Sequence, residues 1–118
     1  AWLTVPRAIE FMAENDWETE RQRCHQMILD VHARITELTG EVPLCPVTST
    51  WFRQMAALPL PTGTDINALK IDLYDHFQIE IPLLELGGRP YIRPSAQGYN
   101  QPEDYHLLVK ALAELLGI

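Results

Sequence analysis

The chain has 118 residues and a mass of 13.5 kDa, a length typical of one domain rather than two. Hydrophobic residues make up 47% and charged residues 21%, which are ordinary values for a globular protein with its own core. The net charge of −7 argues against a nucleic-acid-binding protein, because such proteins present clustered basic residues to phosphate groups. No apolar run reaches the ~18 residues that a membrane span needs, so no membrane contact is expected.

Several features suggest a piece of a larger cytoplasmic protein. Cys24 and Cys45 are too few for a disulfide framework and are expected to be reduced thiols. No basic segment followed by an apolar run is visible, so no signal peptide is expected. The chain begins with Ala1 rather than Met, which leads us to expect an excised segment. Without repeats or linkers, residues 1–118 are expected to form a single domain.

Two helices are predicted at the start. Pro6 suits the first turn of a helix, and the short apolar stripe after it ends at Asn15-Asp16. A longer amphipathic helix is predicted over residues 17–38, because its apolar residues recur at spacings of three and four. Gly40 is a suitable residue to end this helix.

The middle of the chain is predicted to contain a strand and a third helix. Residues 51–60 form a mixed run with apolar ends, which favours a strand that stops at the prolines Pro59 and Pro61. Asp65 is expected to cap a helix that follows it. The apolar face of that helix consists of Ile66, Leu69, Leu73 and Phe77.

A β-hairpin is predicted next. Residues 79–83 alternate between apolar and other side chains, and Gly87-Gly88 suits a two-residue turn. The returning strand is predicted to place Tyr91, Arg93 and Ser95 on one face and Ile92 on the other. Pro90 and Pro94 remove two backbone donors, so this strand is expected at a sheet edge or poorly paired towards its end.

A final helix is predicted with Gln101 at its N-cap and Pro102 in its first turn. The order of elements is therefore α-α-β-α-β-β-α. This order predicts an α+β fold in which helices pack on one face of a small, mostly antiparallel sheet of about three strands.

Common catalytic and cofactor motifs are absent from the sequence. His25 and His32 lie seven positions apart, which is too far for one tight metal site, so no metal ligands are assigned and Cys24 is expected in the core. No glycine-rich phosphate loop and no strained nucleophile turn are present. A hydrolase built from a scattered triad remains a distant alternative.

Arg93 is the candidate binding residue, because a guanidinium presents a planar fork of donors that matches a carboxylate. It is followed by the uncharged polar residues Ser95, Gln97 and Asn100, which is the setting of an anion site. The alternative is a surface arginine paired with one of the chain's own carboxylates. The residues alone favour this alternative.

The sequence also resembles the C-terminal part of class V pyridoxal-phosphate enzymes, the aminotransferase class V family, above all its isopenicillin N epimerase-like members, which are similar to cysteine desulfurases. The segments that carry the resemblance are residues 79–82, 88–100 (GRPYIRPSAQGYN), 103–104 with the leucine-rich helix after them, 2–12, 23–25 and 52–55. One departure is Pro94, where the family commonly has a branched aliphatic residue.

The resemblance implies that residues 1–118 are the small C-terminal domain of a fold-type I enzyme whose large domain holds pyridoxal phosphate on a lysine. That large domain would be absent here, and Lys70 and Lys110 are more simply surface lysines on helices. The fragment alone is expected to bind no cofactor and to be inactive.

The resemblance also implies that Arg93 holds the α-carboxylate of an amino-acid substrate. Ser95, Gln97 and Asn100 are weaker candidates for supporting it. The partners implied are the large domain of the same chain and a second copy of the parent enzyme. The alternative function is a free-standing ligand-sensing or interaction module that binds a small carboxylate.

We further expect the fragment to self-associate through exposed apolar surface, with Trp2, Trp17 and Trp51 as candidates.

Overall fold

The structure, a computed structural model, describes residues 2–48 and 50–118. A short 3-10 helix (Trp2–Thr4) leads into four helices and three strands. In chain order these are α1 (Val5–Glu14), α2 (Trp17–Thr39), β1 (Leu58–Pro59), α3 (Ile66–Phe77), β2 (Leu83–Leu86), β3 (Arg89–Ile92) and α4 (Pro102–Leu116). The predicted α+β fold with a three-stranded antiparallel sheet is confirmed.

The helix ends follow the predicted capping residues. Gly40 ends α2 in a left-handed conformation, with φ of 67° and its N–H donated to Thr36 O at 2.9 Å. The Asp65 carboxylate accepts hydrogen bonds from the N–H groups of Asn67 and Ala68 and so caps α3. At α4, the Gln101 N–H donates to the Asp104 carboxylate at 3.0 Å. These local contacts explain why the helices begin and end where the sequence indicates.

The sheet order is β1-β3-β2, so β3 is the central strand. The prediction that this strand lies at an edge is wrong. β1 is only two residues long. It pairs with β3 so that Leu58 lies opposite Ile92 and Pro59 opposite Tyr91. Pro90 lies just outside this register and uses its carbonyl to accept the Leu60 N–H at 2.9 Å. The donor that Pro90 lacks therefore interrupts neither of these pairs.

The predicted strand over residues 51–60 is wrong in extent, because only Leu58–Pro59 is a strand. A single bridge joins Met55 to Ser95 farther back. In this bridge Gln54 O accepts the Ala96 N–H at 2.8 Å, and Pro94 O accepts the Ala56 N–H at 3.2 Å. Just before the bridge, His25 Nδ1 donates to Arg53 O at 2.7 Å.

The hairpin is confirmed, but its first strand is displaced. Gly87 and Gly88 form the turn with φ of 58° and 76°. Residues 79–82 are not a strand, and β2 begins only at Leu83. Gln78 ends α3 in a left-handed conformation, and the Ile79 N–H bonds back to Leu73 O at 3.0 Å. The alternation of apolar and other residues over 79–82 reflects alternate burial of side chains in the irregular segment between α3 and β2.

The core lies between α2, α3, α4 and the sheet. Its fully buried side chains come from all of these elements and include Ile28, Val31, Ile35, Leu58, Leu73, Ile92 and Leu112. The helices thus shield the sheet from solvent and leave the segment after β3 at the surface. Within the described residues, no helix is both long and apolar enough to cross a membrane.

Candidate functional site

Arg93 is the first residue after β3 and its side chain is exposed. Burial alternates from here onwards: Ile92, Pro94 and Ala96 are buried, whereas Arg93, Ser95 and Gln97 are exposed. Arg93 and Ser95 therefore face outwards together, as the alternation in the sequence predicts. Tyr91, which the sequence places on the same face, is instead 4% exposed.

Arg93, Ser95 and Asn100 line one cleft of about 260 Å³. Its other walls are residues 79–82, Pro94, Tyr99 and the start of α4 at Asp104, Tyr105 and Leu108. Gln97 does not line this cleft but a second hollow on the far side of Tyr99. The structure thus brings three of the four sequence-derived candidates together and separates the fourth.

The Arg93 guanidinium has no ion pair within the described part of the chain. The alternative of a surface arginine tied to a carboxylate of its own chain is therefore not what these residues show. Arg89, four positions earlier, is tied in this way, with its Nη2 2.9 Å from Glu41. Arg93 presents its donors to the cleft and to solvent, where an external anion can reach them.

The backbone that carries Arg93 is held on both sides. The Arg93 N–H donates to Pro82 O at 3.0 Å, and Pro94 O accepts the Ala56 N–H at 3.2 Å. Pro94, the departure from the family pattern, is buried, and its bond to Ala56 uses the carbonyl, which a proline retains. These bonds fix the direction in which the arginine leaves the sheet.

The side chain of Asn100 is used inside the loop itself. Its Oδ1 accepts the Gln97 N–H at 3.0 Å, and its Nδ2 donates to the Asp104 carboxylate at 3.2 Å. The Asn100 N–H closes the turn by donating to Gln97 O at 2.9 Å. Asn100 therefore shapes the approach to α4 rather than presenting its amide to the cleft.

Arg23, on α2, is a residue of this region to which reasoning from the sequence gave no role. Its Nη1 donates to Asn100 O at 3.1 Å and its Nη2 to Gly98 O at 3.0 Å. The same guanidinium bonds the Glu20 carboxylate, which raises the pKa of Arg23 further above its ordinary value. The spacing of Glu20 and Arg23 indicates a helix ion pair, but nothing in it points to a loop 75 residues away.

The second hollow, of about 530 Å³, lies between the α1–α2 junction and the 97–99 loop. Its walls include the aromatic rings of Phe11, Trp17 and Tyr99. Gly98 lies beside Trp17, and a Cβ at position 98 would be in ordinary contact with the indole ring, at 3.4 Å. Tyr99 lines both this hollow and the Arg93 cleft, and its side chain stands between them.

The residues considered for a metal site have other contacts. Cys24 is buried in the core, and burial raises the pKa of its thiol. His32 stacks on Phe52, with ring centroids 5.5 Å apart and planes 2° apart, and His25 contacts the same ring at 5.9 Å. Within the described residues, no three histidine, cysteine or acidic side chains are grouped to hold a metal.

The chain is similar in sequence to enzymes of known name. It is 33% identical over 114 residues to isopenicillin N epimerase of Amycolatopsis lactamdurans and 31% identical over 116 residues to that of Streptomyces clavuligerus. The chain is a piece of a class V pyridoxal-phosphate enzyme. The resemblance found in the sequence is thereby confirmed. No family model matches the chain.

A probable L-cysteine desulfhydrase of Arabidopsis thaliana, described as chloroplastic, is a further relative at 30% identity over 133 residues. These matches cover 97% to 98% of this chain. The chain spans only 27% to 29% of the length of those relatives. It therefore corresponds to a small C-terminal piece of such class V enzymes.

Proposed function

We propose that the chain is the substrate-carboxylate-binding small domain of a pyridoxal-phosphate-dependent enzyme that acts on an amino acid. The observation that carries this proposal is the free Arg93 guanidinium at the wall of a cleft. The relatives of the chain are named isopenicillin N epimerase and L-cysteine desulfhydrase. Both compounds are amino acids or amino-acid derivatives with a free carboxylate, which is the group that an arginine fork binds.

In this proposal Arg93 binds and orients the substrate. A two-point bond between the guanidinium and the α-carboxylate removes the rotation of the substrate about its carboxyl group, which places the reacting Cα in a fixed direction. Ser95 lines the same cleft, and its hydroxyl is a donor for the bound carboxylate in this proposal. Pyridoxal phosphate, when bound, supplies the electron sink for bond breaking at Cα.

Neither lysine of the chain suits the covalent bond to the cofactor. A lysine that binds pyridoxal phosphate needs a sheltered site, whereas Lys70 on α3 and Lys110 on α4 are both exposed. The proposal therefore assigns cofactor binding and its lysine to the large domain of the same polypeptide. Residues 1–118 then supply one wall of the active site.

The large domain is also the partner that we propose for the N-terminal apolar surface. No residue of the 3-10 helix or of α1 is buried. Trp2 is 88% and Leu3 95% exposed, and Val5, Ile9 and Phe11 continue the apolar surface. Exposed apolar surface of this kind is typical of an interface.

We further propose that the parent enzyme is a cytoplasmic homodimer.

The test uses the full-length enzyme loaded with pyridoxal phosphate, with isopenicillin N and L-cysteine as candidate substrates and propionate as a simple carboxylate probe. Arg93→Gln is expected to raise the dissociation constant of propionate by about 10- to 100-fold, the loss of a charge-assisted bidentate bond. Arg89→Gln is the matched control, because Arg89 pairs with Glu41. Equal propionate binding by the Arg93 and Arg89 variants would overturn the role of Arg93.

A further inference from the structure

The loop between Arg93 and α4 is held from a distant helix. Arg23 donates to the carbonyls of Gly98 and Asn100, at 3.0 Å and 3.1 Å, although 75 and 77 residues separate them. Both bonds come from the same side chain, so the two carbonyls are held in one fixed relation to α2. Tyr99 is the residue between them.

We propose that Arg23 is a positioning residue that fixes Tyr99 at the mouth of the Arg93 cleft, so that the Tyr99 ring covers a carboxylate bound to Arg93. This inference rests on the proposed function of Arg93. It adds a second, distant arginine that does not touch the substrate and a tyrosine that does.

The exposure of Tyr99 supports this role. Its side chain is 81% exposed, yet the backbone on both sides of it is bonded to Arg23. Because this backbone is already held, contact between the ring and a ligand costs less backbone entropy, although the ring keeps its own rotation. The ring also lines the cleft that contains Arg93 and Ser95.

The chemistry of the anchor favours arginine over lysine at position 23. The planar guanidinium bonds the Glu20 carboxylate through Nε and Nη2 while Nη1 and Nη2 reach the two loop carbonyls. Glu20 therefore fixes the plane of the fork. A lysine ammonium is a point charge on a flexible stem and does not hold three acceptors in this geometry.

A second contact between α2 and the loop supports the same conclusion. Trp17, six residues before Arg23 on α2, lies beside Gly98, where an added Cβ would lie 3.4 Å from the indole. The loop is thus next to α2 at Trp17 and is bonded to it through Arg23. The same helix therefore sets the backbone position of Tyr99.

The experiment measures propionate binding to the full-length, cofactor-loaded enzyme by ligand-observed NMR, so it does not depend on knowing the substrate. We expect Arg23→Gln and Arg23→Lys to raise the dissociation constant by about 3- to 30-fold. Arg21→Gln is the matched control: Arg21 lies on the same helix, pairs with Glu18 and makes no contact with the loop among the described residues. Its propionate affinity should equal that of the unchanged enzyme.

A double variant separates positioning from general stabilisation. In a Tyr99→Ala background, Arg23→Gln should weaken propionate binding by less than about twofold, because the ring that it positions is gone. Its effect on the unfolding temperature should persist in that background. If Arg23→Gln weakens binding equally with and without the Tyr99 ring, Arg23 is only structural and the inference is overturned.

The two proposals fail in different ways. If Arg93→Gln leaves propionate binding unchanged, or if the unchanged enzyme does not bind propionate, the proposed function fails and this inference fails with it. If Arg93→Gln weakens binding but Arg23→Gln behaves like Arg21→Gln, the proposed function stands and only the inference about Arg23 is overturned.

Discussion

The Tyr105 hydroxyl donates a 2.7 Å hydrogen bond to the Ser95 carbonyl, which ties α4 to the segment that begins at Arg93. Tyr105 is 7% exposed, so this bond lies away from bulk water. Burial, aided by the neighbouring Asp104 carboxylate, raises the pKa of Tyr105 to about 12. The hydroxyl therefore stays protonated and able to donate throughout the physiological range.

Replacing this hydroxyl should loosen the segment without opening a cavity. We expect Tyr105→Phe to lower the free energy of unfolding by about 1–2 kcal/mol, because Ser95 O loses a partner in a half-buried position. Urea unfolding measures the change. Tyr74→Phe, at a side chain that is 59% exposed, is the control and should be neutral. An equal effect of the two variants would contradict the assignment.

The same tyrosine predicts a loss of stability at high pH. Its folded pKa of about 12 lies above its ordinary value of 10.0, so the unfolded chain releases this proton at a lower pH than the folded chain. The contribution to stability is complete below pH 10.0 and is lost as the pH rises from there towards about 12. Ultraviolet absorbance titration of the phenols should show one late-titrating tyrosine that disappears in Tyr105→Phe.

His32 predicts a loss of stability at low pH. It is 3% exposed and stacked on Phe52, and burial lowers its pKa below the ordinary 6.5. The unfolded chain therefore binds a proton first, and stability falls as the pH drops below 6.5. Unfolding curves at several pH values give the unfolding free energy as a function of pH. Below pH 6.5 this free energy should fall less steeply in His32→Gln than in the unchanged chain. An unchanged dependence of stability on pH in His32→Gln would contradict the role of the buried His32 ring.

Leucines on opposite sides of α4 provide a test of the core. Leu112 is fully buried, whereas Leu107 is 42% exposed. Leu112→Ala is expected to cost about 2–5 kcal/mol of unfolding free energy, because it removes buried methyl groups and leaves a cavity. Leu107→Ala should cost less than about 1 kcal/mol. Similar losses in chemical denaturation would show that α4 does not pack as described.

The apolar surface before α1 predicts self-association of the isolated chain. Trp2 and Leu3 are almost fully exposed, and Trp51 is 63% exposed, whereas Trp17 is half-buried against Phe11. Trp2→Ser with Leu3→Ser should shift sedimentation towards the monomer. Ile71→Ser, which removes an exposed apolar side chain from α3, is the control. A chain that is monomeric at high concentration before any substitution would refute this expectation.

Much of the fold could be predicted because local signals determine it. The spacing of apolar residues along α2 and the cap at Asp65 require no knowledge of distant residues. The strands were harder, since a two-residue strand such as Leu58–Pro59 carries too little pattern to be distinguished from the loop before it. The central position of β3 depends on which distant segment pairs with it, and Pro90 and Pro94 together suggested an edge strand instead.

In the site, too, features set by neighbouring residues could be predicted, whereas features set by distant contacts could not. The residue type and neighbours of Arg93 make it a candidate in the sequence, and the alternation around it indicates that it faces outwards with Ser95. The separation of Gln97 from this cleft depends on the turn that Asn100 closes, which the spacing does not reveal. Arg23 belongs to a segment that carries the family resemblance, but its role in holding the loop was missed, because its partners there are backbone carbonyls and a carbonyl leaves no mark on the identity of a residue.

The distance along the chain between Arg23 and its loop has a consequence for folding. Bonds that join residues 75 and 77 positions apart are non-local contacts, and they close a much longer segment of chain than the turns of a helix do. We therefore expect the mouth of the cleft to become ordered after α2 itself. During synthesis, the bond from Arg23 to Asn100 cannot form until 77 further residues have been made.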